Sequence, residues 1–271
     1  MILSCAAIAA GLFFYGVRID PEAKKPAMPG AMQESMRQQV DSTAAIKKLF
    51  SLLPEKSRDS ANQLTKVLAG KFSEKTCLEL SQIFANNNQP IGAAEYRRKI
   101  ALHTNEAKQW RSVANAYLIG FAQAKDSSLH FYSAQRAAES YAKLLSIDST
   151  DTDARLNYAA ILVEGMNDVM SGVKQLKKIT AKDPDNPDAN LMLGRLDVMS
   201  GQNEKAVPRL EKLIKNHPEM TEAYFHLAEA YRAQGKKEKA IELLTQCKLQ
   251  IKDAATVADL EHYISQIKNS N

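Results

Sequence analysis

The sequence predicts an all-α fold: a solenoid of antiparallel helix pairs behind an N-terminal membrane-anchor helix. Almost every segment after residue 31 carries apolar residues at helical spacing, and none alternates with the period of a strand. Glycine is scarce, at 11 in 271 residues, which suits long helices because glycine disfavours them. The second half of the chain also repeats itself at intervals of about 34 residues, which is typical of stacked helical repeats.

Composition excludes several classes of protein. Hydrophobic residues make up 45% and charged residues 25%, as in folded soluble domains, so a disordered tail, a collagen and a polytopic membrane protein are excluded. Three cysteines are too few for a disulfide scaffold. The 36 basic residues are mixed with 31 acidic ones, and the net charge is only +5, so we expect no nucleic-acid partner.

Residues 2–17 form an uncharged run. As a helix, the run is about 24 Å long, shorter than the roughly 30 Å hydrocarbon core of a bilayer. No basic region precedes it, as a secretory signal requires. Three interpretations remain: a membrane anchor whose true start lies upstream, a cleaved signal, or a buried helix. We favour the anchor, because an upstream start explains both the short run and the missing basic flank.

A linker follows the run at residues 18–30. It contains three prolines and mixed charge, so we expect it to hold a folded domain away from the membrane. Its basic residues, Arg18, Lys24 and Lys25, favour a cytoplasmic position for this flank. Lysine or arginine in an upstream extension would reverse that orientation.

The internal repeat is the strongest signal in the chain. Three acidic turns are each followed by a similar helical segment, beginning at Ala154, Ala189 and Ala223, at spacings of 35 and 34 residues. Pro184 and Pro218 are also 34 residues apart. The last unit combines large and small residues at fixed spacing: Tyr224, Leu227, Ala228, Tyr231, Gly235, Ala240, Leu244 and Cys247.

This pattern resembles the tetratricopeptide repeat (TPR) family. The resemblance implies a right-handed superhelical solenoid, with Tyr224 and Tyr231 packed between helices and Ala228 and Ala240 where helices cross closely. It covers roughly residues 74–268 and is strongest in the last two units. The predicted domains are 1–17, a transmembrane anchor or signal-like segment; 18–30, a linker; 31–106, N-terminal helices including a degenerate repeat; 107–253, the TPR array; and 254–271, a capping helix and tail.

Two irregularities interrupt the repeat. An extra residue falls near 166–168, and an insertion of about eight residues falls near 124–130. Residues 31–70 predict two further helices, split at Pro54.

No catalytic or metal-binding motif is recognisable. The five histidines include no pair at ligand spacing on a helix, and the sequence has no glycine-rich phosphate loop. Cys77 and Cys247 lie in apolar helical stripes, which predicts buried thiols. The acidic turn 183–188 lacks the Gly and Glu of a calcium loop and is interpreted as a helix-capping turn. We therefore expect no enzyme activity, no cofactor, no metal and no small-molecule substrate.

The resemblance implies a concave groove lined by the first helix of each unit, which commonly holds a peptide or a partner's helix. Some family members clamp a terminal carboxylate there, and Arg111, Asn115 and Asn157 match three of the clamp positions. Asp188 and Met192 occupy the two remaining basic positions, so we do not expect a working clamp. The predicted groove residues are Arg111, Asn115, Asn157, Leu191, Arg195, Phe225, Glu229 and Arg232.

The mixed character of these side chains suits a protein partner better than a polyanion. The functional hypothesis is a non-enzymatic, membrane-tethered TPR adaptor or scaffold that binds partner proteins through its groove. The layout resembles anchored bacterial TPR proteins, including ancillary subunits of the Sec translocon, so an accessory role in envelope protein assembly or secretion is expected. The expected location is the bacterial inner membrane, with the array on the periplasmic side. The alternative is a structural subunit permanently assembled into a larger membrane complex.

Overall fold

The computed structural model describes residues 42–269, and every regular element among them is helical, with no strand. The all-α prediction is therefore confirmed for this part of the chain. The predicted anchor at 2–17 and the linker at 18–30 lie outside the described residues. Within 42–269, no helix has the length and apolar character needed to cross a membrane.

The described residues divide into two compact units, 42–172 and 173–269. The N-terminal unit contains α1 (Ser42–Ser51), α2 (Glu55–Gly70), α3 (Glu74–Asn86), α4 (Pro90–Thr104), α5 (Ala107–Gln123), α6 (Ser127–Ile147) and α7 (Thr152–Ala160). Helix α8 (Val169–Thr180) crosses the boundary. The C-terminal unit contains α9 (Pro187–Met199), α10 (Asn203–Asn216), α11 (Thr221–Ala233), α12 (Lys237–Gln250) and α13 (Ala254–Asn269).

In the N-terminal unit, neighbouring helices from α2 to α6 pack in chain order, and α1 lies against α4 and α6. The insertion near 124–130 lengthens α6 to 21 residues instead of forming a long loop. Asp126 caps the extended helix by accepting from the backbone N–H groups of Ser128 and Leu129. It also pairs with Lys48 of α1 at 2.5 Å, and this bond holds the pKa of its carboxyl below the ordinary value. The insertion therefore provides the docking point for α1.

The extra residue near 166–168 is absorbed inside a helix. Helix α7 continues into a π-helical turn, Ile161–Gly165, and the N–H of Met166 donates to the carbonyl of Ile161 at 3.0 Å. A π turn accommodates one residue more than the α-helix around it. This accounts for the spacing of 35 between Ala154 and Ala189 where the next interval is 34.

The turns between the two helices of a pair share one backbone conformation. Asn167, Gly201 and Gly235 have φ of 51°, 74° and 75°, and they follow one another at intervals of 34 residues. Glycine adopts this left-handed conformation without steric cost, and asparagine is among the few other residues that tolerate it.

The C-terminal unit bears out the packing predicted for the last repeat. Tyr224 and Tyr231 are 8% and 5% exposed, and Ala228 and Ala240 are fully buried. Helix α13 covers the end of the unit with four buried side chains: Leu260, Tyr263, Ile264 and Ile267. Cys77, in the N-terminal unit, and Cys247 are both buried, as predicted. The acidic turn caps α9 through Asn186, which accepts from the N–H of Ala189 at 3.0 Å.

Candidate protein-binding face

In the C-terminal unit, five predicted groove residues lie on two helices that pack side by side. Helices α9 and α11 are the first helices of consecutive pairs, and they contact each other. All five side chains remain half-buried or exposed. We call this surface the first-helix face; its residues are Leu191 and Arg195 of α9, and Phe225, Glu229 and Arg232 of α11.

Glu229 organises the charged part of the first-helix face. Its carboxylate accepts from Nη2 of Arg232 at 3.0 Å and from Nε at 3.3 Å, and this bonding raises the pKa of Arg232. It also accepts from the hydroxyl of Tyr263 on α13. The Glu229 side chain is 19% exposed and that of Arg232 47%, so the guanidinium is the group presented to a partner. The sequence placed Tyr263 only in the capping helix and missed this contact.

Two apolar side chains lie beside these charges. Leu191 and Phe225 both pack partly against the core of the unit while remaining accessible to solvent. The Phe225 ring lies 6.3 Å from that of Tyr263 and 5.7 Å from that of His226. Aromatic and arginine side chains that are held in place in this way are the types enriched at protein interfaces.

His226 of α11 is buried beside this face. It is 6% exposed, and burial, assisted by the positive charge of Arg195, lowers its pKa to about 3. A histidine in the unfolded chain titrates near 6.5. The unfolded chain therefore binds a proton that the folded unit does not accept, and the difference grows as the pH falls below 6.5.

We expect this histidine to make folding sensitive to acid. Between pH 7 and pH 5 its burial should remove about 2 kcal/mol of the free energy of unfolding. The variant His226→Leu should lack that part of the pH dependence, and His262→Leu, at an exposed histidine of α13, should retain it. Denaturant midpoints followed by circular dichroism at the two pH values measure the difference. Equal pH dependence in all three proteins would contradict the assignment.

In the N-terminal unit, two of the three predicted groove residues are engaged in the fold. Arg111 of α5 pairs with Asp151, the N-cap of α7. The side-chain oxygen of Asn115 accepts from the hydroxyl of Tyr141 on α6 at 2.9 Å. Asn157 is half-buried on α7. The structure thus places Arg111 and Asn115 where they tie α5 to its neighbours.

Other chemistry is not indicated in the described part of the chain. Among residues 42–269, no group of His, Cys, Asp or Glu is arranged to hold a metal ion. Burial raises the pKa of the Cys247 thiol to about 11, which keeps it protonated and unreactive.

Comparison with known proteins agrees with the helical repeat. Residues 191–247, which include the whole first-helix face, match the family model of the tetratricopeptide repeat. A crystal structure of MamA protein is similar at 19% identity and a TM-score of 0.52, over 65% of this chain and 91% of that one. No curated protein matches the sequence.

Two further structures are similar to this chain. One is YrrB, described as a TPR protein with an unusual peptide-binding site, at 15% identity and a TM-score of 0.51, over 74% of this chain and 99% of that one. The other is MamA 41-end from Desulfovibrio magneticus RS-1, at 18% identity and a TM-score of 0.52, over 73% and 97%. The described residues thus have the TPR class of all-helical fold. Within that class, the repeat signature itself is matched in the C-terminal unit.

Proposed function

We propose that this protein is a non-enzymatic adaptor that binds a partner protein on the first-helix face. The observation that carries the proposal is that accessible Leu191 and Phe225 lie next to Arg195 and Arg232 on two adjacent helices within the matched repeats. Anchored apolar side chains provide contact area, and the guanidinium groups provide directional donors. The peptide-binding site attributed to the similar protein YrrB supports this choice of partner.

We also propose that residues 2–17 tether the adaptor to a bacterial inner membrane, with the repeats on the periplasmic side. The uncharged run and the proline-containing linker support this proposal. A tethered adaptor at that place would serve envelope protein assembly or secretion. Extraction of membranes at high pH tests the tether: the full chain should remain in the pellet, and a chain lacking residues 2–17 should not.

Charge reversal tests the binding face. Replacing both Arg195 and Arg232 with Glu should reduce recovery of the partner at least about tenfold, because two donors become two repelled carboxylates. The measurement is a crosslinked pull-down from solubilised membranes. The matched control is the double variant Lys215→Glu and Lys252→Glu, which makes the same charge change at exposed positions outside the face. Circular dichroism should show equal helix content in all three proteins.

Two outcomes would count against the proposal. Unaltered recovery with the Arg195 and Arg232 variant would place the partner elsewhere. An equal loss in the control would show that net charge alone drives the interaction. The alternative role, a permanently assembled structural subunit, predicts a complex that survives high salt and copurifies without crosslinking, since obligate interfaces are larger and more apolar.

A further inference from the structure

A second surface of the C-terminal unit has the chemistry of an anion site. A cleft of about 360 Å³ lies between α10 and the turn that precedes α9. Lys205, Arg209 and Lys212 line it from α10, at spacings that place them on one helix face. Asp185 is the only acidic residue that lines it. None of these residues belongs to the first-helix face.

Arg209 is held in a fixed position at the wall of this cleft. Its Nη1 donates to the side-chain oxygen of Asn190 at 2.8 Å, and its Nε donates to Asp197 at 3.3 Å. Asn190 in turn donates to the carbonyls of Pro184 and Asn186 at 2.9 and 2.8 Å. Two of the five N–H groups of Arg209 are used in these bonds, and the guanidinium is fixed before any ligand arrives.

The two lysines can exchange their present contacts for a ligand. Lys205 donates to the side chain of Gln202 at 2.6 Å. Lys212 pairs with Asp185, and both of these side chains are 58% exposed. An exposed ion pair of this kind contributes only about 0–1 kcal/mol. An incoming carboxylate can therefore replace Asp185 beside Lys212 at little cost.

The remaining lining distinguishes between kinds of anion. Pro184, Pro208 and Leu213 give the cleft apolar walls next to the cations. The methylene groups of an aspartate or glutamate side chain can contact such walls, whereas a bare inorganic ion has no atoms to use them. We propose that this cleft binds a side-chain carboxylate of an acidic peptide segment, as a contact separate from the first-helix face.

The test uses the full chain in detergent and a defined probe. The probe is a fluorescein-labelled octapeptide of alternating Ser and Asp, compared with its Ser and Asn counterpart by fluorescence anisotropy. The Asp peptide should bind, and the Asn peptide should bind at least about tenfold more weakly. Replacing Lys205 and Lys212 with Gln should weaken the Asp peptide by about tenfold. Replacing the exposed Lys177 and Lys178 of α8 with Gln should change its affinity less than about twofold.

Three results would overturn the proposal. One is the absence of binding of the Asp peptide to the wild-type chain. Another is an equal loss in both lysine variants, which would indicate diffuse attraction to net charge. The last is calorimetric binding of inorganic phosphate, abolished in the Lys205 and Lys212 variant, without binding of the peptide, which would define a small-anion site. The Arg195 and Arg232 variant should bind the probe normally, so this test stands apart from the first-helix face.

Discussion

Replacing Glu95 with Leu is expected to lower the free energy of unfolding of the N-terminal unit by about 3 kcal/mol. Glu95 lies on α4 and is only 7% exposed. Its carboxylate accepts from the hydroxyls of Tyr117 on α5 and Tyr132 on α6, both at 2.5 Å. Leucine would leave two buried hydroxyls without their acceptor, at a cost of about 1–3 kcal/mol each. The apolar surface gained by Leu offsets only part of this loss.

The measurement can be made specific to this unit. Trp110 is the only tryptophan in the chain and is 3% exposed on α5, so its fluorescence reports unfolding of the N-terminal unit. The control is Glu79→Leu, which makes the same substitution at an exposed position of α3. That variant should change the denaturant midpoint little. Similar shifts in both variants would mean that the bonds to Glu95 contribute nothing to stability.

The same carboxylate shows where sequence reasoning fails. A lone Glu in a helix predicts a solvated face, and its two partners lie 22 and 37 residues further along the chain. Burial and the nearby carboxylate raise the pKa of Tyr132 to about 12. Contacts of this kind arise only when three helices come together, and no local pattern records them.

The repeats themselves were predictable, for the opposite reason. Tyr224, Ala228 and Ala240 must be large or small to suit the crossing of adjacent helices, so the packing geometry is written into residue size. Asn167 hides the same kind of regularity. It takes the left-handed turn that Gly201 and Gly235 take in the next two units, but a search for glycine cannot find it.

The candidate site was predictable in its positions and not in its bonds. Helical period places Leu191, Arg195 and Phe225 towards one face. It does not reveal that Glu229 is shared by Arg232 and by a tyrosine on α13. The cleft beside α10 was missed because Arg209 acquires its fixed position from Asn190 and Asp197, which belong to another helix.

The substitution Gly92→Ala is expected to lower the stability of the N-terminal unit by about 2 kcal/mol. A Cβ atom at Gly92 would lie 2.1 Å from Cδ1 of Phe84 and 2.6 Å from its Cγ. The Phe84 ring has little freedom to move, since it is 1% exposed and packs against Phe50 at 5.3 Å and Tyr96 at 5.7 Å. Alanine favours a helix over glycine by about 1 kcal/mol. A clash with a confined aromatic ring outweighs that gain.

Gly70→Ala makes the same chemical change where the outcome should have the opposite sign. Gly70 is the last residue of α2, and a Cβ there would meet no atom within 4 Å. Its substitution should leave the Trp110 unfolding midpoint unchanged or raise the stability by up to about 1 kcal/mol. If both variants were stabilised, the α3–α4 pair would be loose enough to yield around Phe84. Opposite signs would show that this pair, whose repeat signature is degenerate, is nevertheless closed by steric packing as tightly as the pairs whose signature is evident.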